Sequence, residues 1–221
     1  QLPRRYKILE TSADLRARQH DLLRRELPEL IDRVEWLDAF PVALEACVIA
    51  NEVLDAMPVH VIETTEGGIE ERGVASIDGS FRWANRPAAG NVLATASALQ
   101  LPSGYVTELN LAASGFMAEL GRSLVKGAAL LIDYGFPARE FYHPQRSRGT
   151  LMCHYRHHAH DDPLSLVGLQ DITAHVDFTA VAHAALDAQL EVLGYASQTQ
   201  FLINRSEEHT SELQSRETIS Y

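Results

Sequence analysis

The chain is short of cysteine, of positive charge and of long apolar runs, and each shortage removes a class of protein. Cys47 and Cys153 allow at most one bridge and lack C-x-x-C spacing. A disulfide scaffold is therefore excluded, and a reducing, cytoplasmic compartment is expected. Nineteen Lys and Arg stand against thirty Asp and Glu, for a net charge of −11. Such a surface repels phosphate backbones and anionic lipid, which argues against nucleic acid as a partner. The longest apolar stretches, Ala46–Ala50 and Ala128–Ile132, are strand-sized and well short of the roughly 18 residues of a membrane span, so no membrane insertion is expected. What is present is 221 residues, 46% hydrophobic and 22% charged, enough to bury one sizeable core.

The two ends read differently from the middle. The sequence starts at Gln1 and is in an apolar run by Ile8-Leu9, with no leader pattern before it, which predicts a missing N-terminal segment. A targeting peptide lost there would make the location mitochondrial. From Arg205 onward the chain is polar apart from Leu213, Ile219 and Tyr221, so 205–221 is expected to be a disordered tail or a non-native sequencing-adapter remnant. Residues 1–204 are read as the domain.

Between the ends, strands alternate with helices. Tyr6–Glu10 reads as a short strand. A helix starting at Thr11-x-x-Asp14 carries Leu15, Leu22, Leu23 and Leu27 at helical spacing until Pro28. Val34–Leu37 is a weaker strand, and Ala46–Ala50 a stronger one, apolar on both faces as a central parallel strand is. Asp78-Gly79, set between Ser76-Ile77 and Phe81-Arg82-Trp83, signals a hairpin within an insertion over about 60–90. A helix within 109–125 ends at Gly127, and Ala128–Ile132 is another buried strand. Residues 137–170 form a His- and Arg-rich excursion, expected as a solvated loop. Asp177 then caps a helix running through Leu193 to Gly194, and a last strand is expected at Thr199–Ile203. The pattern predicts a doubly wound, mostly parallel α/β sheet carrying insertions.

In such sheets ligands sit beyond the carboxyl ends of the strands. Three exits are polar here. Glu10 offers a carboxylate able to accept both hydroxyls of a ribose, or simply to favour a helix N-terminus. Asn51, Glu52 and Asp55 give an amide and two carboxylates directly after the strongest strand, equally readable as a capped helix start. Asp133-Tyr134-Gly135 leaves the next strand with a residue able to turn sharply, or is a plain strand-exit turn. Cys153, His154, His157, His158, His160, Asp161 and Asp162 form a rival, metal-like cluster suited to hydrolysis. Its spacing lacks a distant partner set apart from His175 and Asp177, so no metal site is assigned.

Taken in order, Glu10–Arg16, Ala50–Val59, Leu131–Gly135 and Gly168–Phe178 resemble the S-adenosylmethionine-dependent methyltransferases that include the mitochondrial complex I assembly factor acting on an arginine, and its bacterial relatives. The likeness runs from Lys7 to about Ile203. It implies a class I, Rossmann-like methyltransferase sheet, S-adenosyl-L-methionine as cofactor, and an arginine-bearing protein, possibly of a respiratory complex, as substrate. By the same resemblance Glu10 and Asn51 bind the cofactor. Asn51, Glu52 and Asp55 serve catalysis, and Asp133, Tyr134, His175 and Asp177 face the substrate. Relatives carry a first strand and glycine-rich turn before the segment matching Lys7–Glu10. Here glycine begins at Gly67, so that strand and turn are expected to be missing and the chain inactive as it stands. A binding factor that keeps the fold without catalysis is the alternative.

Overall fold

A computed structural model describes residues 3–203, so Gln1 and the tail expected over 205–221 lie outside the described residues. β1 (Tyr6–Leu9) pairs in parallel with β2 (Val34–Leu37), and α1 (Ala13–Glu26) joins them. Ser12, one residue later than expected, caps α1 by accepting the Leu15 N–H, and Asp14 lies in the first turn, where the helix dipole favours an anion. Next come β3 (Leu44–Asn51), β4 (His60–Thr65), β5 (Gly68–Ile77), β6 (Ser80–Pro87), α2 (Gly90–Ala98) and β7 (Val106–Leu109). β4 to β7 form one antiparallel sheet in the order β6-β5-β4-β7. The expected hairpin forms at Asp78-Gly79, with φ of 49° and 74°, as a two-residue turn with both residues left-handed requires. The insertion runs beyond the expected limit near 90 because β7 returns to pair with β4.

α3 (Leu111–Ser123) leads into β8 (Leu124–Ile132), which lies parallel to β3 and places Asn51 opposite Ile132. β9 (Gly135–Phe136), α4 (Ala138–Phe141), β10 (Met152–Tyr155), β11 (His158–His160), β12 (Asp171–Thr173), β13 (Val176–Asp177) and α5 (Phe178–Asp187) follow. β13 pairs β9 in parallel, while β10 holds β11 and β12 on its two antiparallel edges. The class is the expected α/β one: parallel pairs linked through helices, with antiparallel sheets in the insertions.

Four expectations need correction. The 137–170 excursion is structured: α4 lies in it, and the histidines sit on the β10–β11 hairpin, turned by left-handed Arg156 and His157. β3 and β8 are covered on one face only; Ile49 and Val125 are 71% and 61% exposed, because no described element packs on their side. α5 stops at Asp187, with Gln189 at φ 63° and the Leu190 N–H turned back to the Ala185 carbonyl. Residues 198–203 are helical rather than a strand. Ser197 caps them through the Gln200 N–H, and no described strand lies beside them to supply a ladder.

The main core forms where α3 meets α5 beneath β3 and β8. Leu54, Met117, Leu120, Val176 and Val181 are buried there, with Val48 and Leu131 of the strands against them. Gly121 permits the approach, since a side chain at that position would run into Ala188 at the end of α5. A second core, Ile62, Val92, Ala96 and Leu109, seats α2 on the four-stranded sheet. Leu120 is fully buried. Leu120→Ala should therefore cost about 3 kcal/mol in urea denaturation, the usual sum of lost burial and residual cavity. A loss below about 1 kcal/mol would show that α3 and α5 do not pack as described.

Candidate active site

Because Asn51 and Ile132 are partners, the chain leaves β3 and β8 side by side. Glu52 makes the sharp turn out of β3 at φ 51°, unusual for a residue with a side chain, and its N–H is held by the Ile132 carbonyl at 2.9 Å. Asp133, the first residue past β8, fastens both exits. Its Oδ2 accepts the Leu54 N–H at 2.9 Å and the Asp55 N–H at 3.3 Å, and its Oδ1 accepts the Tyr134 N–H at 2.8 Å. A carboxylate accepting several backbone N–H groups acts as an anchor. Asn110 adds a second tie: its amide donates to the Leu54 carbonyl at 2.8 Å while its Oδ1 caps α3 through the Ala113 N–H.

A third segment closes over these two. The Ala174 N–H donates to the Asp55 carbonyl at 3.0 Å, and the Val176 N–H to the Tyr134 carbonyl at 2.8 Å. Asn51, Glu52, Asp55, Asp133, Tyr134 and His175 are thus drawn from three stretches of sequence to one place. Asn51 and Glu52 are exposed, and Tyr134 is 62% exposed. Asp177 is differently employed. Its Oδ1 accepts the Thr179 and Ala180 N–H groups as the cap of α5, and Tyr142 also bonds it, so this carboxylate is spent on structure.

Asp55 is the unusual group. It is 7% exposed and its Oδ1 has no hydrogen-bond partner. Burial pushes its carboxyl above the ordinary value of 3.8, and the nearby Asp133, then Glu52 and Asp171, push the same way against a hydrogen bond from the Ala56 N–H. His175 is pushed down by burial and then by Arg146; its Nδ1 is buried without a partner, and its ring stands edge-on to Phe136 at 5.2 Å. The Arg146 guanidinium lies 3.9 Å over the Phe136 ring.

Glu10 sits elsewhere, at the end of β1. It lines a cavity of about 430 Å³ with Thr11, Arg16, His20, Trp36 and Asp38. Its carboxylate accepts the Ser12 N–H at 2.9 Å and the Gln19 amide at 3.0 Å, one bond on each oxygen. Each oxygen keeps acceptor capacity for a further hydroxyl. Among the described residues no group of three or more His, Cys, Asp or Glu side chains is placed to hold a metal ion.

Asn110, Glu108, Thr150 and Arg146 were not singled out by the sequence. Asn110 alone carried a signal, as a capping residue directly before an apolar helical stretch.

The raised carboxyl of Asp55 makes a pH-dependent prediction. The folded state holds this proton to higher pH than the unfolded chain does, so Asp55 costs stability as pH rises through its folded value. Asp55→Asn should raise the urea midpoint at pH 7 and leave it unchanged below about pH 3, where the carboxyl is neutral in both the folded and the unfolded chain. A variant less stable than the parent at pH 7 would contradict the unpaired, acid-crowded setting of Asp55.

Residues 2–196 match the family described as S-adenosyl-L-methionine-dependent methyltransferase, Methyltransf_28. The chain is 32% identical over 165 residues to the protein arginine methyltransferase NDUFAF7, mitochondrial, of Danio rerio, covering 71% of this chain and 36% of that protein. It is 33% identical over 148 residues to the Drosophila melanogaster homolog, covering 62% and 32%. A crystal structure of a COG1565 superfamily member from Burkholderia thailandensis, bound to S-adenosyl-homocysteine, superimposes with a TM-score of 0.84 at 49% identity, covering 91% of this chain and 52% of that one. The chain therefore spans about a third of the length of these curated relatives and half of the solved one. It belongs to the Methyltransf_28 family of S-adenosyl-L-methionine-dependent methyltransferases.

Proposed function

We propose that the chain carries the acceptor side and the ribose-binding carboxylate of an S-adenosylmethionine-dependent protein-arginine methyltransferase. The observation that carries this reading is the buried Oδ1 of Asp55, an acceptor without a donor at the end of β3. A buried acceptor left open in a place crowded by Glu52, Asp133 and Asp171 calls for a cationic donor. A guanidinium meets that need with five donors in a planar fork. The names of the relatives point to the same substrate class, and the net charge of −11 favours a basic, arginine-bearing partner.

In this reading the cofactor's ribose lies against Glu10, whose two oxygens each retain acceptor capacity. Bound there, the cofactor supplies a methyl group activated by a sulfonium, and the protein's task is alignment. Asp55, buried and fixed through its own N–H to Asp133, orients the guanidinium. Glu52, exposed and held by the Ile132 carbonyl, forks against it from the strand exit. The two carboxylates would hold the guanidinium's charge and aim one of its nitrogens at the methyl group; as the N–C bond forms and the C–S bond breaks, the proton that nitrogen releases would pass to one of these carboxylates. Asn51, last in β3, supports the cofactor beside them. Capture of the cofactor is further proposed to draw on the glycine-rich turn that the family resemblance sets before Lys7.

The test uses this chain joined to a relative's N-terminal segment. Calorimetry should detect S-adenosylmethionine binding to the joined form and little to the chain alone. Glu52→Gln and Asp55→Asn should each lower methyl transfer to arginine peptides by about 100-fold or more, with cofactor affinity unchanged. Undiminished transfer in both variants would remove Glu52 and Asp55 from catalysis.

A further inference from the structure

Glu108 is a buried carboxylate for which the reading above has no use. It lies on β7, in the appended four-stranded sheet, and is 4% exposed. Its acceptor bonds go to one short stretch of chain. The Thr150 N–H donates to Oε1 and Oε2 at 3.0 and 2.9 Å, the Leu151 N–H to Oε1 at 3.1 Å, and the Thr150 hydroxyl to Oε2 at 3.0 Å. Burial holds the Glu108 carboxyl above its ordinary value, and these bonds offset only part of that. Gly149, left-handed at φ 79°, makes the approach possible, because a side chain there would collide with Glu108 Oε1.

The consequence lies one bond further on. A carboxylate only accepts, so the Thr150 hydroxyl must give it its proton and is left with lone pairs to offer. It uses one to accept the His175 N–H at 3.0 Å. The neighbouring N–H groups of Ala174 and Val176 go to the Asp55 and Tyr134 carbonyls. Three consecutive N–H groups thus hang the 174–176 segment on three separate parts of the chain. Glu108 fixes the polarity of the middle one.

We propose that Glu108, acting through Thr150, is a positioning residue for the methyl-acceptor site: it holds His175 and its neighbours against the turn that carries Asp55. The inference rests on the reading of that turn as the acceptor site. It gives the four-stranded sheet, which places no residue at the strand ends, a part in setting the site's geometry.

Three variants test it: Thr150→Val, Thr150→Ser and Glu108→Gln. Amide hydrogen exchange by NMR on this chain should speed up at His175 by about tenfold or more in Thr150→Val and Glu108→Gln, while the Ala113 N–H held by Asn110 is unaffected. In the methyl-transfer assay of the joined form, the KM for an arginine peptide should rise by about tenfold with cofactor affinity unchanged. Thr150→Ser, which keeps the hydroxyl, should restore both. Unchanged exchange at His175 in Thr150→Val overturns the link, and so does a Thr150→Ser variant that behaves like Thr150→Val. An unchanged KM reduces Glu108 to a purely structural residue and overturns the proposal as well. Failure of the acceptor reading shows differently, as a parent protein that does not methylate arginine; the exchange result then still decides the link for or against.

Discussion

Asp133 ties the two strand exits together, and much of the site follows from that. Its carboxylate takes the N–H groups of Leu54 and Asp55 from the turn after β3 and that of Tyr134 next to it. Because these donors lie 79, 78 and 1 residues away in sequence, one side chain sets the geometry of two distant turns. Leu54, placed by this contact, is 1% exposed and belongs to the main core, so the packing of α3 and α5 and the shape of the exit are one structure. The 174–176 segment then docks on carbonyls that Asp133 has already placed, those of Asp55 and Tyr134.

The charge balance follows from the same contact. Asp133 spends its carboxylate on backbone donors, which satisfies it without a cation. Asp55 is brought into the same crowded place with one oxygen unfilled. Among the described residues none of Glu52, Asp55, Asp133 and Asp171 is in an ion pair, whereas Glu63 and Glu71 of the four-stranded sheet are paired with Arg72 and Arg86. The contrast separates the paired Glu63 and Glu71 of that sheet from the unpaired acids at the exit. Glu10 stands apart from both, at the end of β1, where it lines a cavity.

The strand exits were legible because their signal is local. Asp133 follows five apolar residues directly, and Asn51, Glu52 and Asp55 follow five more, so polar groups at strand ends stand out without knowledge of the fold. Asp78-Gly79 was legible for the same reason. Glu108 and Thr150 lie 42 residues apart, and neither has a neighbour that announces the contact. Asn110 reaches Leu54 over 56 residues, and only its capping half could be read. Burial of Ile49 and Leu130 was overstated because an apolar run reports what a strand tolerates, not whether another element covers it. Thr199–Ile203 has strand-like residues, yet Ser197 caps a helical turn there and no partner strand competes with it.

We infer that the exits of β3 and β8 face the reacting end of the cofactor. The most direct measurement is a crystal structure of the joined form with S-adenosyl-homocysteine and an arginine peptide. The ribose hydroxyls should lie on Glu10, and the guanidinium on Asp55 Oδ1 with the cofactor sulfur beside it. A cofactor seated away from Glu10, or a guanidinium held by groups other than Glu52 and Asp55, would contradict it.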